Sequence, residues 1–362
     1  MVNEFGVLPK GFFSNLNNCL NYLNWLELQL IDKFSIINFA QSLNNNGKKI
    51  AVIGDAIIDE FYYGKISRIS PEAPIPIFTT ESFSPNVVNL GGCFNLFQQI
   101  KNLKQKAVVF SIIDNRCTDF NNLDLSNCTI ISNGLNIPIK KRWIAKDVIV
   151  QRIDVEKVNC GLSTFELKEH QNTIISLFSK IKFDIVLISD YNKGLFTNIN
   201  LNDLHICKDA IIIVDSKVAP LERWCGCSII KLNEEEAFNL TFGVEDWKKQ
   251  CDFIAKKTNC KAVIITCASN GFKMKENNNY FEYFPKINMR AISVIGAGDV
   301  FTAILGVAIS CDIPLFAAAK IACFCASLYV SKNYMNFLSL GDITGHIKDV
   351  LISNDFRERI YD

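Results

Sequence analysis

From Lys49 onward, short apolar runs rich in β-branched residues alternate with helical patterns along the chain. The runs are Ile50 to Ile53, Ala107 to Ile113, Asp184 to Ile188, Ala210 to Val214, Ser228 to Lys231 and Ala262 to Thr266. Continuous apolar strands separated by helices predict an α/β fold with a mostly parallel central sheet and helices on both faces. Ile75 to Thr79 and Pro138 to Arg152 alternate polar and apolar positions and carry turn residues, which predicts a small antiparallel flap beside that sheet. Val300 to Val330 is apolar throughout, but Asp312 and Pro314 divide it and Lys320 interrupts its second half. Each half is too short to span a membrane, so two buried helices are predicted. Leu23, Leu26, Leu30, Phe34 and Ile37 recur at helical spacing before Asn44-Asn45-Asn46-Gly47, predicting a helical N-terminal extension that packs on the domain or on a second subunit. Asn-rich patches at 121 to 122 and 277 to 279 read as surface turns.

These boundaries give a helical extension over 1–46, one α/β domain over 47–345 with lid segments at about 60–90 and 136–154, and a tail over 346–362. The chain of 362 residues is 49% hydrophobic, enough for one large core with appendages. Lys and Arg number 38 against 37 Asp and Glu, a formal net charge of +1. No global field then favours nucleic acid or an anionic membrane, and any phosphate binding is local. The 14 cysteines lie mostly in apolar segments, and pairs such as Cys225-x-Cys227 and Cys323-x-Cys325 lack the usual zinc spacing. Reduced thiols, and the lack of a leader pattern at the N-terminus, lead to the expectation of a cytoplasmic protein.

Chemistry concentrates in Val294-Ile295-Gly296-Ala297-Gly298-Asp299-Val300, just before an apolar helical pattern. Glycines there let the backbone turn tightly at a helix start, where bare N–H groups and the positive dipole end collect negative charge. Asp299 in the first turn is placed to take a hydroxyl proton while the amides of Gly296, Ala297 and Gly298 stabilise a transferring phosphoryl group. The same string alone also fits a plain loop ending at an acidic helix start.

Further elements stand in order along the chain: Gly54-Asp55-Ala56-Ile57-Ile58-Asp59, Ser67-Arg68-Ile69-Ser70-Pro71-Glu72-Ala73-Pro74, Gly91-Gly92-Cys93-Phe94-Asn95, Asp190-Tyr191-Asn192-Lys193-Gly194, Asp215-Ser216-Lys217 and Asn233-Glu234-Glu235-Glu236. With the Gly-Ala-Gly-Asp segment, this set resembles the ribokinase-like (PfkB) sugar kinases, and within them most closely the D-glycero-β-D-manno-heptose 7-phosphate kinases, over roughly residues 48 to 345. The resemblance implies a kinase using ATP and Mg²⁺ on a sugar phosphate, with a β lid over the sugar that often mediates homodimerisation.

It also implies roles residue by residue. Asp55 and Asp59 fall to sugar recognition, Asp55 the more favoured, against a plain cap-and-turn pair. Gly91, Gly92 and Asn95 match a sugar-binding Gly-Gly-x-x-Asn element, against a simple helix start. Lys140 and Arg142 share one face of a strand by alternation, with Arg152 on the next, and suit a distal phosphate as well as a solvated face. Asp190 and Lys193 match a further substrate-side segment. Lys217, Thr266 and Gly271 fall to the nucleotide side, and Asn233 and Glu236 to Mg²⁺ held through water. Ser293-Val294-Ile295 stands where relatives read Asp-x-Thr, and Cys267 and the segment Cys323 to Ser327 also depart from the pattern, so the nucleotide side is the altered one. Neither Gly-x-Gly-x-x-Gly after the first strand nor a Walker loop is present, which argues against a dinucleotide oxidoreductase. Because only a short tail follows Gly345-His346, a fused nucleotidyltransferase step, where relatives have one, is expected of a separate protein.

Overall fold

A computed structural model describes residues 36–114, 117, 129–132, 137–156, 162–217, 219–285, 291–332 and 336–345. In chain order the larger elements are β1 (Ile50–Gly54), β2 (Ala56–Ile69), β3 (Pro76–Thr79), β4 (Val87–Gly92), α1 (Cys93–Asn102), β5 (Ala107–Asp114), β6 (Thr129–Ser132), β7 (Ile139–Ala145), β8 (Val148–Val155) and α2 (Thr164–Ser179). They continue with β9 (Ile185–Asp190), β10 (Ile211–Ser216), β11 (Ile229–Asn233), α3 (Glu234–Leu240), α4 (Trp247–Thr258), β12 (Ala262–Thr266), β13 (Phe272–Glu276), β14 (Asn279–Tyr283), α5 (Ala297–Ser310) and α6 (Leu315–Val330).

The main sheet runs β14-β13-β12-β11-β10-β9-β1-β5-β6, parallel from β12 to β6 and closed at the other edge by the antiparallel β12-β13-β14 ladder. Every residue of β1 and β9 is buried, so both faces of the sheet centre are covered, as their unbroken apolar sequences require. The predicted parallel strands are therefore present, β12 ending at Thr266 as expected and the others running one or two residues further, as β9 does to Asp190 and β10 to Ser216. Asn277, with a positive φ, turns β13 into β14, in the patch read as a surface turn.

The apolar stretch after Gly298 forms two helices, α5 buried from Asp299 to Ser310 and α6 starting after Pro314. Among the described residues no helix is long and apolar enough to cross a membrane. Of the predicted N-terminal helix, Leu23 to Phe34 lie outside the described residues, as do the Asn patch at 121 to 122 and the tail from His346. Residues 36–42 are helical, but the stripe facing the core is Ile36, Phe39 and Leu43, while Ile37 is 36% exposed. Phe39 and Leu43 join the same core as β1, so this segment packs on the α/β domain.

The lid is a second sheet, β3-β2-β7-β8 with β4 also on β2. The expectation of an antiparallel flap needs correction: β2 pairs antiparallel with β3 and β4 but parallel with β7, so the sheet is mixed. Strands β2 and β7 are joined by about 70 residues, long enough for the crossover that a parallel pairing needs. Strand β2 begins one residue after β1 ends, so a single stretch of chain leads from the main sheet into the lid.

Candidate active site

The parallel strands all end on one edge of the main sheet, where open α/β folds bind ligands. That edge carries Asp55, Asp190, Lys217 and Asn233, and the N-terminus of α5 reaches it. Gly296 caps α5 in the left-handed region at φ 77°, and a β-carbon there would stand 3.1 Å from the Tyr329 hydroxyl. Glycine is required by conformation. The helix's own ladder begins with Val300 N–H on the Gly296 carbonyl, and Ala297 N–H turns back to Val294 at 3.3 Å. The amides of Gly298 and Asp299, in the first turn beyond Ala297, thus precede the ladder. Beside them lies the Lys231 ammonium, 3.2 Å from where a Gly298 β-carbon would be.

Asp299 is buried, with one carboxylate oxygen accepting from Asn95 Nδ2 at 2.8 Å and the other from the Tyr191 hydroxyl. Desolvation pushes its pKa above the ordinary carboxylate value, against the lowering effect of these two donors and of Lys217. Asn95 Oδ1 is buried without a hydrogen-bond partner. The Tyr191 ring carries the Lys217 ammonium 3.8 Å from its centroid and that of Lys140 at 5.2 Å.

Behind the first turn of α5, Asp215 Oδ2 accepts from Lys231 at 2.7 Å and from the Thr302 hydroxyl at 3.0 Å, and Thr302 also donates to the Gly298 carbonyl. Asp215 Oδ1 is buried and has no partner. Burial draws the Lys231 pKa down, but Asp215 and Glu236 outweigh it and hold the ammonium above its usual value. Asn233 and Glu236 form a capping box at the start of α3: Asn233 Oδ1 accepts from Glu236 N–H, and Glu236 accepts from Asn233 N–H. Desolvation and then Asp215 raise the Glu236 carboxyl.

The lid brings Asp59 and Arg142 together in an ion pair of 2.6 Å whose side chains are about 5% exposed. Asp59 Oδ2 also sits against Gly91, where a β-carbon would approach it to 2.0 Å. Only glycine allows that approach, and Asn95 Nδ2 lies on the same side at 3.5 Å. Register aligns Asp59 with Lys140 and Phe61 with Arg142, while Lys141 turns to the other face and pairs with Glu60. The alternation read from the sequence is therefore present, though Arg142 is sealed by Asp59. Burial lowers the Lys140 pKa most, with Asp59 opposing and Lys217 adding to the fall.

Other candidate residues are engaged locally. Asp55 accepts the N–H groups of Tyr191, Lys193 and Leu195, so its preference over Asp59 for sugar contact does not follow from the geometry. Its pKa is raised to about 6 by burial and by Asp190. Asp190 accepts from Asn192 N–H and the Ser216 hydroxyl, Lys193 pairs with Glu156, and Arg152 grips Asp154 through two bonds. Gly92 caps α1 at φ 64°. Thr266 donates to the Leu232 carbonyl, and Gly271, at φ 86°, turns β12 into β13. Sequence reasoning missed Tyr191, Asp215, Lys231 and Thr302 as members of the cluster. Lys231 did leave a signal, as a lone charge in the apolar run of β11.

Comparison with known proteins agrees with this architecture. Residues 208–339 match the pfkB family of carbohydrate kinases. The chain is similar to the bifunctional protein HldE of Caulobacter vibrioides, 27% identical over 316 residues, covering 82% of this chain and 63% of that protein. It is also similar to HldE of Campylobacter jejuni, 28% identical over 313 residues, with 80% and 62% covered. The chain thus spans less than two thirds of the length of these curated relatives. Among solved structures, ribokinase from Thermotoga maritima superposes with a TM-score of 0.61 at 17% identity, over 83% of this chain and 99% of that one. Phosphofructokinase-2 from Escherichia coli in complex with substrates and products gives 0.62 at 15%, over 84% and 99%. Over residues 208–339 the chain is thus similar to the pfkB carbohydrate kinases, and its fold is the one seen in ribokinase and phosphofructokinase-2.

Proposed function

We propose that the protein transfers the γ-phosphoryl group of ATP to a hydroxyl of a sugar that already carries a phosphate, with heptose 7-phosphate at its anomeric hydroxyl as first candidate. The observation that carries this reading is Asp299, buried and hydrogen-bonded by Asn95 and Tyr191, in the same first helical turn as the free amides beside the Lys231 ammonium. In the reaction the acceptor oxygen forms a bond to the γ-phosphorus, the bond from that phosphorus to the ADP oxygen breaks, and the hydroxyl proton passes to Asp299. The amides of Gly298 and Asp299, with Lys231, stabilise the charge on the transferring group. Asp59 and the open acceptor of Asn95 take sugar hydroxyls, and Lys140 meets the existing phosphate. The choice of a heptose phosphate over other sugars rests on the segment Ser67-Arg68-Ile69-Ser70-Pro71-Glu72-Ala73-Pro74, which carries the resemblance to the heptose kinases.

A hydrated Mg²⁺ fits the residues at the nucleotide edge. Asp215 Oδ1 is a buried acceptor without a partner, Asn233 and Glu236 add oxygens, and Mg²⁺ keeps several of its waters. The ion would neutralise charge on the nucleotide phosphates. Ser293, Ile295 and Cys323 are the altered positions while Asn233, Glu236 and the Gly-Ala-Gly-Asp segment are kept, so ATP is used with a raised KM. Substituting Asn233 or Glu236 by Ala removes a capping box worth about 1 kcal/mol, yet lowers kcat/KM for MgATP by roughly tenfold or more. Thermal melts beside steady-state kinetics check this, and equal, mild losses in both would assign the two residues to the helix start alone. A phosphoryl-transfer screen across sugar phosphates with ATP and Mg²⁺ tests the whole reading. Absence of any product, with no MgATP bound at millimolar concentration, would turn it toward a binding homologue.

The outer lid face, away from Asp59 and Arg142, carries the half-exposed Ile153 and Val155 beside the stacked Tyr62 and Trp143 rings. A second copy covering that face is the partner we propose. Light scattering is expected to give a dimer, and Ile153→Asp a monomer.

A further inference from the structure

Tyr191 touches Asp299 at the centre of the site, yet it takes no part in the bonds made and broken in the reaction above. Its N–H is held by Asp55 Oδ2 at 2.9 Å, and the same carboxylate anchors Lys193 and Leu195, so three bonds fix the loop that carries it. Its hydroxyl donates to Asp299 Oδ1, and its ring lies under the ammonium groups of Lys217 and Lys140. A carboxylate rotates about its last side-chain bond, and one donor leaves that rotation loose. Donors on both oxygens, from α1 and from the loop after β9, stop it.

We propose that Tyr191 is the positioning residue of the site: its hydroxyl fixes Asp299 so that the remaining lone pairs face the acceptor, and its ring gathers Lys140 and Lys217 at the same point. The inference rests on the kinase reading for its kinetic part only. It also explains the buried Asp55, which acts on the reaction through Tyr191. The charged groups coupled to Asp299 or Tyr191 from other elements are Asp215 on β10, Lys231 on β11 and Asp59 on β2, and the neutral Cys93 on α1 and Tyr329 on α6 also face Asp299.

The test compares Tyr191→Phe and Tyr191→Leu. In Tyr191→Phe, kcat/KM for the sugar phosphate falls roughly tenfold to a hundredfold. Its acid limb moves to higher pH, because the charged carboxylate has lost a donor, and the ATP KM stays as in the wild type. Tyr191→Leu shows the same limb shift and also a raised KM for the phosphorylated acceptor, since the ring contacts of both lysines are gone. A loss equal at every pH with the limb unmoved, or wild-type kinetics in Tyr191→Phe, would overturn the proposal. A second readout needs no turnover: carboxyl ¹³C NMR titration of aspartate-labelled protein, with the Asp299 signal assigned through Asp299→Asn. An upward shift of that titration in Tyr191→Phe supports the pairing even if no sugar phosphate is turned over, and an unmoved titration overturns it.

Discussion

Asp299→Asn lowers kcat by roughly a hundredfold or more while leaving sugar-phosphate binding within a few-fold. The substitution keeps the shape and removes the capacity to take a proton. Oδ1 still accepts from Tyr191, and Asn95 can turn its side chain so that its oxygen accepts from the new amide while its NH2 donates to the sugar hydroxyl in the oxygen's place. The variant therefore folds, and its stability at neutral pH rises. Burial raises the Asp299 pKa in the folded state, so its contribution to stability is full below the unfolded value of about 3.9 and is lost as pH rises through the raised folded value. Asparagine has no such loss. In the wild type the same raised value sets an acid limb in kcat/KM, with activity falling as pH drops through it. Rate profiles, calorimetric binding and melts of both proteins check these expectations, and turnover near wild type would remove Asp299 from the chemistry.

Elements whose burial is dictated locally were legible in the sequence. Strands β1 and β9 are covered on both faces, so their runs are apolar without interruption, and the Asp312-Pro314 break separates two helices by backbone chemistry alone. The facing of Lys140 and Arg142 followed from the two-residue period of a strand. What long-range pairing decides was not legible. No local pattern says that β2 lies parallel to β7, or that register sets Asp59 beside Arg142. The ranking of Asp55 above Asp59 failed to follow because both carboxylates stand near the same strand end in the sequence. Only the fold shows that the loop from Tyr191 to Leu195 closes over Asp55 and uses its oxygens. Tyr191 lay within a motif whose charged members drew attention, while its hydroxyl reaches Asp299 across more than a hundred residues.

The same long-range pairing makes Arg142 the most consequential side chain of the lid. Arg142→Met is expected to destabilise the protein by about 3–5 kcal/mol, since it leaves Asp59 buried and uncompensated. Both side chains are about 5% exposed, so water cannot screen the remaining charge. The added Asp59→Asn change then restores most of the loss, because the double variant buries no charge at all. Function follows a different order. If Asp59 takes a sugar hydroxyl, the double variant is stable but binds the acceptor poorly, whereas a purely structural pair leaves acceptor KM near wild type once stability is recovered. Arg142→Lys separates a phosphate contact from a lid lock, because a lysine keeps the charge but not the geometry of the guanidinium's hydrogen bond to Asp59. Urea melts of the three variants, read beside the acceptor KM for phosphorylated and unphosphorylated sugars, decide between them. A loss below about 1 kcal/mol in Arg142→Met would mean that the pair is open to solvent, as surface pairs of that worth are.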